Sequence, residues 1–286
     1  MMINAFCRPL WVAVVTLCSS LLLHAASPSP VLNWQGSWQP GGLMVTTVAD
    51  DYRLHWQGRP LPADHHGRVL LGLSRDASGP IAVELEHLPS GRRWPLSYPL
   101  QPRDYAIQRI EGVPQQTVTP PPEQLARIRR EAALVAAARS ASAPEPLYAS
   151  GFQAPAQGPI TGVYGSQRIY NGTPGRPHFG VDYAAPEGAA VVAPAAGVVV
   201  LAEPDLFYSG GTVIIDHGFE LYSSFLHLSA VSVEVGQRLA QGARLGAVGA
   251  TGRATGPHLD WRMNWGATRI DPLLVLAALP KASAVD

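Results

Sequence analysis

Two short stretches, PHFGVD at residues 177–182 and GPHLDW at residues 256–261, decide how this sequence is interpreted. The first holds a histidine and an aspartate four positions apart, and the second holds a histidine and an aspartate two positions apart. On a β-strand, residues two or four apart point to the same face of the sheet. Each pair is therefore predicted to project from one face. Two adjacent strands would bring all four side chains to one place.

The chemistry of these four side chains favours a metal site. Zn²⁺ binds imidazole nitrogen and carboxylate oxygen, and a catalytic zinc keeps one position open for water. His178, Asp182, His258 and Asp260 would supply three ligands and one base. Either pair alone is better explained as ordinary polar residues at a strand end. Together, and next to glycine-rich turns, the two pairs favour a metal.

Composition narrows the class of protein. The chain has 286 residues, of which 47% are hydrophobic and 15% charged, so it can bury a core and is not disordered. Its formal net charge is zero. Electrostatic capture of nucleic acid is therefore not expected.

The N-terminus has the pattern of an export signal. Residues 1–26 are predicted to be a signal peptide, with an apolar run from Leu10 to Leu23 followed by small residues. The rival interpretation is an uncleaved anchor, but the run is short for a membrane span. Cys7 and Cys18 both lie in this segment, so the mature chain has no thiolate for a metal and no disulfide. We expect a bacterial periplasmic or envelope protein without a stable membrane span in the mature chain.

Residues 30–112 are predicted to form an N-terminal β domain. Tyr52, Leu54 and Trp56 alternate with polar residues, and further alternating segments follow between turn clusters. A small β-sandwich is the expected form.

Residues 113–157 are predicted to be a proline-rich linker that contains one helix. Leu125, Ile128, Ala132 and Val135 recur at helical spacing and define one apolar stripe. The arginines on the other faces are expected to be solvated.

Residues 158–280 are predicted to form a second, antiparallel β domain, because short apolar runs alternate with glycine-containing turns. The fold class is therefore all-β with two domains. The glycines do not open a helix, which excludes a phosphate-binding loop. The second domain also lacks the Gly-x-Ser-x-Gly elbow of a serine hydrolase.

Residues 160–274 resemble the lysostaphin/LytM-type zinc endopeptidases, which cleave peptidoglycan. An HxxxD segment, a later HLS segment and an HxH-like segment in this order are a specific signature of that family. The N-terminal β domain and helix also resemble, more weakly, a module of some exported members. The stretches that carry the main resemblance are ITGVYGSQR (160–168), HFGVDYAAPEGAAVVAPAAGVV (178–199), TVIIDHG (212–218) and SSFLHLSAVSVEVGQRLAQGARLGAVGATGRATGPHLDW (223–261).

The resemblance implies a role for each matching residue. His178 and Asp182 match the first two zinc ligands, and His258 and His227 match the two catalytic histidines. Here His258 would act as general base and His227 would stabilise the oxyanion, or the two roles would be exchanged. The third ligand of the family is a histidine, but this chain has Asp260. Carboxylate oxygen also binds zinc, so Asp260 is expected to be the third metal ligand.

The substitution has a consequence for charge. Two carboxylates and one histidine around Zn²⁺ give a formally neutral site, whereas one carboxylate and two histidines give a site of charge +1. We expect a smaller lowering of the pKa of bound water, slower turnover, and a greater tolerance of oxygen-preferring ions such as Mn²⁺.

The resulting functional hypothesis is an exported zinc endopeptidase that hydrolyses peptide bonds in peptidoglycan stem peptides or cross-bridges. Two alternatives stay open. The chain could be a weak or inactive relative that binds cell wall or activates a separate amidase, which Asp260 favours. It could also be a structural envelope protein whose β domain is the working part. The oligomeric state is left open.

Overall fold

The structure, a computed structural model, describes residues 30–281 and consists mostly of β-strands. Its helices are α1 (Gln115–Val118), α2 (Leu125–Ala137) and α3 (Pro272–Ala278), with 3₁₀ turns at Pro122–Gln124 and Leu147–Ser150. The strands are β1 (Leu43–Thr47), β2 (Tyr52–Trp56), β3 (Arg59–Pro60), β4 (Arg68–Gly72), β5 (Ile81–His87), β6 (Arg92–Tyr98), β7 (Ile107–Ile110), β8 (Ile160–Gly162), β9 (Gln167–Tyr170), β10 (Thr173–Pro174), β11 (Val181–Ala184), β12 (Ala190–Val192), β13 (Gly197–Leu206), β14 (Gly210–Asp216), β15 (Leu221–Leu228), β16 (Ala230–Val231), β17 (Arg238–Leu239), β18 (Arg244–Ala247), β19 (His258–Trp265) and β20 (Thr268–Ile270). The all-β class predicted from the sequence is confirmed.

The N-terminal part forms two small antiparallel sheets. One pairs β1 with β4, and the other has the order β3-β2-β5-β6. In β5, Ile81, Val83 and Leu85 are buried while the residues between them are more exposed, which is the alternation expected of a strand with one face on a core. The predicted strands of this region are therefore present.

The C-terminal part is built on one eight-stranded sheet. Its order is β17-β13-β14-β15-β19-β11-β8, with β20 paired to β19. Every residue of β14 and β15 is buried, so both faces of the sheet centre are covered. Val213 and Ile215 belong to the large core, whereas Ile214 points to a second cluster on the opposite face. Covered faces explain why Val213, Ile214 and Ile215 follow one another without polar alternation, and the polar residues of β14 and β15 are buried as well.

Helix α2 confirms the predicted helix, but the predicted apolar stripe is not a buried face, since Leu125 and Ala132 are exposed. It has no buried residue, and its contact with the sheet is made by Val135, next to Leu206 and Ile214 of the second cluster.

Arg127 links helix α2 to the sheet by donating to the Asp205 carboxylate at 2.9 Å, and Glu131 of the same helix accepts from the Phe207 backbone N–H at 2.8 Å. A space therefore remains between helix α2 and the sheet, and residues of both line it.

One pairing departs from the antiparallel pattern. Strand β7 follows the N-terminal sheets in the chain but belongs to neither. It pairs in parallel with β9, so that Gln108 lies beside Arg168. The amide oxygen of Gln108 accepts a hydrogen bond from Arg168 Nε at 3.1 Å. The N-terminal part thus contacts Arg168, which lies in a separate three-stranded sheet of the order β10-β9-β7.

A single cluster of buried apolar side chains runs from Leu43 to Leu279 and includes residues of both parts. Trp56 and Trp265 meet across it with ring centroids 5.7 Å apart. A Cβ atom on Gly72 would lie 2.7 Å from Trp265 Cβ, so the close approach requires glycine here. The domain boundaries predicted at residues 112 and 157 are not tested by this shared core and stay predictions.

The predicted signal peptide, residues 1–26, lies outside the described residues. Within residues 30–281, no helix is long and apolar enough to cross a membrane.

His217 is a buried titratable residue at the turn between β14 and β15. Its Nδ1 donates to the Ala196 carbonyl at 2.7 Å, and its Nε2 accepts from Ser223 Oγ at 2.8 Å. Burial lowers the pKa of His217 to about 4, so the ring is neutral at pH 7. The unfolded chain takes up this proton near pH 6.5, which favours unfolding as the pH falls below that value.

We expect the free energy of unfolding to decrease by about 3 kcal/mol between pH 7 and pH 4 on account of His217 alone. His217→Gln removes the titration, so its stability should depend on pH less steeply than that of the unmodified protein. Urea unfolding at several pH values measures both slopes. Equal slopes for the two proteins would contradict this assignment.

Candidate functional site

Three of the predicted site residues lie together on the central sheet. Asp182 on β11 faces Asp260 on β19 directly across the strand pair, and His178 lies just before β11. Their exposed fractions are 6%, 0% and 1%. Each residue offers one donor atom, and these three atoms all lie within 4.8 Å of one another.

His178 reaches this group by a route that differs from the predicted one. The strand begins at Val181, so the alternation rule does not act on His178. The segment is held instead by backbone hydrogen bonds, from His178 N to the Ser166 carbonyl at 2.8 Å and from Gly165 N to the His178 carbonyl at 2.7 Å. The assumption of a strand was wrong at this position, although the two side chains do meet.

The donor atoms of this group fit a metal ion. His178 Nε2 lies 3.0 Å from Asp182 Oδ1, and its Nδ1 lies 4.0 Å from Asp260 Oδ2. The 3.0 Å contact lacks the angles of a hydrogen bond, so both nitrogens and Asp182 Oδ1 are buried without a hydrogen-bond partner among residues 30–281. Buried polar atoms without partners are costly, and a shared cation would satisfy them. Nitrogen and carboxylate oxygen also form the donor set that zinc accepts.

Two arginines compete for the same carboxylates. Arg262 donates to both oxygens of Asp260, with Nη2 at 2.6 Å and Nε at 3.0 Å from the nearest oxygen. Arg168 donates to the other oxygen of Asp182. Burial opposes ionisation of Asp260, but the adjacent Arg262 charge outweighs it and holds the pKa of Asp260 well below its usual range. Both carboxylates are therefore ionised and partly neutralised by protein side chains.

The two predicted catalytic histidines form a second pair beside the first group. The rings of His227 and His258 have centroids 4.8 Å apart. Nδ1 of His227 donates to the Thr251 carbonyl at 2.7 Å, and Nδ1 of His258 donates to the Gly256 carbonyl at 2.8 Å. A neutral ring that donates from Nδ1 has an unprotonated Nε2. Burial lowers the pKa of His227 to about 4, which keeps this ring neutral at pH 7.

His227 occupies a strained backbone position. Its φ is 67°, although it lies within β15, and the pairing with β14 shifts register between Gly211 and Val213. Residues other than glycine rarely adopt positive φ, and such strain is found where the surrounding structure holds a functional group in place. The bulge turns His227 out of the regular alternation of its strand.

A cavity of about 690 Å³ opens beside His178 and His227, whereas Asp182 and His258 line a separate cavity. Helix α2 supplies one wall through Ile128 and Val135, and the sheet supplies the floor. His178 and His227 line the cavity. The space is of a size that encloses a small ligand or a short peptide segment.

Arg168 and Arg262 are site residues that were not predicted from the sequence. Arg262 follows Asp260 by two positions on β19, so the same alternation rule that paired His258 with Asp260 would have found it. Arg168 gave no such signal, because its approach to Asp182 depends on the pairing of β9 with β7.

Residues 176–272 match the sequence profile of peptidase family M23. The peptidoglycan DD-endopeptidase ShyA of Vibrio cholerae is 40% identical over 110 residues, which cover 38% of this chain and 25% of that protein. The DD-carboxypeptidase/endopeptidase Mpg of Neisseria meningitidis is 37% identical over 111 residues, 39% of this chain and 25% of that protein. The match thus spans about a quarter of these relatives' length.

A solved structure extends the comparison over both parts of the chain. The crystal structure of a putative peptidase M23 from Pseudomonas aeruginosa has a TM-score of 0.67 and 30% sequence identity, and the match covers 86% of this chain and 97% of that one. The similarity therefore includes the N-terminal sheets as well as the C-terminal sheet.

The pair formed by Asp260 and Arg262 yields a stability prediction for the metal-free protein. Arg262→Gln leaves a carboxylate with no exposed surface unpaired, and we expect the free energy of unfolding to fall by about 3 kcal/mol. Adding Asp260→Asn removes that charge and should recover part of the loss. Chelator-treated proteins are compared by urea unfolding.

The control is Arg238→Gln, which breaks the exposed pair with Glu145 and should leave the free energy of unfolding almost unchanged. The ion-pair assignment is wrong if Arg262→Gln is no more destabilising than this control.

Proposed function

Because the chain belongs to peptidase family M23, we propose that it is a zinc-dependent endopeptidase that hydrolyses peptide bonds in the stem peptides or cross-bridges of peptidoglycan. Relatives named as peptidoglycan DD-endopeptidases support the substrate class. The observation that carries the proposal is the grouping of His178, Asp182 and Asp260 next to the histidine pair, with His178 and His227 both lining the cavity.

His178, Asp182 and Asp260 would hold the metal. The unpartnered atoms of His178 and Asp182 favour this assignment, and Asp260 would contribute an oxygen that Arg262 also contacts. A bound zinc ion would act as a Lewis acid on the scissile carbonyl and would lower the pKa of a water molecule. Because Asp260 replaces a third histidine, the liganded site would be formally neutral, which weakens this effect.

The two histidines would move the protons of the reaction. Nε2 of His258 is free to accept a proton from the attacking water, since Nδ1 already donates to a backbone carbonyl. Once protonated, the ring carries hydrogen on both nitrogens and can donate to the oxyanion or to the departing amine. His227 has the same arrangement, so the two roles could be exchanged. The backbone bonds fix the orientation of both rings.

One observation favours a second candidate function. Arg168 and Arg262 already neutralise Asp182 and Asp260, so the two carboxylates can coexist without a metal. The alternative is a catalytically weak or inactive protein that binds cell wall or activates an amidase. The presence of His178, His227 and His258 opposes it, because none of these three is needed to neutralise the carboxylates.

We also propose export to the bacterial periplasm or envelope. The apolar segment at residues 10–23 and the cell-wall enzymes among the relatives support this location. The substrate is found in the same compartment.

The decisive experiment is digestion of purified peptidoglycan, with metal analysis of the same protein sample and mass spectrometry of the fragments. We expect about one zinc per chain and new peptide termini. His258→Ala should retain the metal and reduce cleavage by at least about 100-fold, because it removes a proton acceptor and no metal ligand. Arg129→Ala, on the exposed surface of α2, is the control and should cleave normally. Bound metal without any cleavage would exclude the hydrolase and leave the binding protein.

The role of Asp260 is tested separately by metal affinity. Asp260→Ala removes a ligand and should weaken zinc binding by at least about 100-fold, whereas Asp260→His supplies a nitrogen and should retain it. Competition with a chromogenic chelator measures both constants. Unchanged affinity in Asp260→Ala would remove Asp260 from the ligand set.

A further inference from the structure

The cavity above the candidate metal site is unusually rich in arginine. Three acidic residues accompany these arginines, namely Glu131 in the lining and Asp182 and Asp260 beneath it. Glu131 is occupied by Arg127 and by the backbone N–H of Phe207. The arginines that line the cavity are Arg139, Arg168, Arg176, Arg253, Arg262 and Arg269.

Four of these arginines have no carboxylate partner among residues 30–281, and three of the four have no side-chain hydrogen bond either. Arg168 and Arg262 are paired with the two aspartates, and Arg253 donates to the Thr117 carbonyl at 3.3 Å. The other three make no ion pair and no side-chain hydrogen bond among residues 30–281. They come from separate elements, since one follows α2, one precedes His178 and one lies on β20; they are Arg139, Arg176 and Arg269.

The unpaired charges act on one another. Burial and repulsion from Arg262, Arg139 and Arg176 lower the pKa of Arg269 to about 10. Burial and the charge of Arg262 also lower the pKa of Arg139. Like charges are held together here by the fold rather than by local acids, although the whole chain has zero formal net charge. An anion entering the cavity would relieve this repulsion.

The surroundings favour a peptide over a highly charged polymer. Arg269 stacks over Phe179 at 4.7 Å and Arg253 over Tyr170 at 4.4 Å, so the charges sit on aromatic surfaces. Ile128 and Val135 make the opposite wall apolar. Planar guanidinium groups match carboxylates in a bidentate manner, and apolar walls accept the backbone and aliphatic carbons between them.

We propose that Arg139, Arg176 and Arg269 form a subsite for an acidic peptide with two or more free carboxylates, held beside the candidate metal centre. The inference rests on the proposed function, because it names the kind of peptide that the same cleft takes. It assigns these three arginines to substrate selection rather than to the chemical step.

The test compares two forms of one ligand. Soluble peptide fragments released from purified peptidoglycan are used either unmodified or with their free carboxylates converted to carboxamides. Binding is measured by calorimetry on chelator-treated protein, so that no hydrolysis occurs, and again with zinc added. We expect the amidated fragments to bind at least about tenfold more weakly, since each lost charged hydrogen bond costs that much or more. The difference should shrink as salt is raised.

Variants assign the effect to the subsite. Arg269→Gln and Arg176→Gln should each weaken binding of the unmodified fragments about tenfold and leave binding of the amidated fragments unchanged. Arg176 is exposed at the rim, so its replacement tests the idea even if Arg269→Gln folds poorly. Arg129→Gln changes the net charge equally but lies on the exposed surface of α2, and should bind like the unmodified protein.

The outcomes separate this inference from the proposed function. Selective binding of acidic fragments without hydrolysis in the presence of zinc would keep the subsite and exclude the endopeptidase. Hydrolysis of acidic and amidated fragments at equal rates, by the unmodified protein and by both variants, would keep the endopeptidase and exclude the subsite. Arginine variants that weaken both ligand forms equally would also overturn it.

Discussion

Two buried carboxylates that face each other across adjacent strands set the central constraint of this structure. Asp182 and Asp260 are paired in register on β11 and β19 and are almost fully inaccessible to solvent. Two like charges at such a position repel each other and lose their hydration, so the fold has to supply compensating positive charge. Arg168 and Arg262 supply part of it, and the atoms of His178 that lack partners mark where a cation would supply more.

The same constraint links distant parts of the chain. Arg168 reaches Asp182 because β9 is paired in parallel with β7, which arrives from the N-terminal sheets, and Gln108 on β7 holds the guanidinium. The N-terminal part therefore contributes to the electrostatics of a site formed by the C-terminal sheet. Helix α2, with no buried residue, contributes in another way, since it forms a wall of the cleft. Both parts share one continuous core, which fixes these relationships.

The cleft holds more arginines than are needed to neutralise Asp182 and Asp260. The additional arginines line the cleft itself. A cleft with a surplus of arginine next to a group of metal-binding donors is suited to a substrate that brings its own carboxylates. This surplus also explains how one chain could be a hydrolase or a binding protein. The proposed arginine subsite would attract the ligand in either case, whereas His227 and His258 would be needed only for the proton transfers of a hydrolase. Membership of peptidase family M23 and the intact histidine pair favour the hydrolase.

The sequence by itself determined the all-β class and the helix at α2, because strand alternation and helical spacing are local properties of the chain. The resemblance of its motifs to a known family indicated the grouping of His178, Asp182 and Asp260. Alternation alone could also have revealed Arg262 on β19. Only the tertiary structure decided that His178 is placed by backbone bonds to Gly165 and Ser166, and that a bulge forces His227 to a φ of 67°. It also decided that six arginines converge on one cavity. The physical reason is that the charge around a buried group depends on which strands and loops meet there, and residues far apart in sequence carry no local pattern that records their meeting.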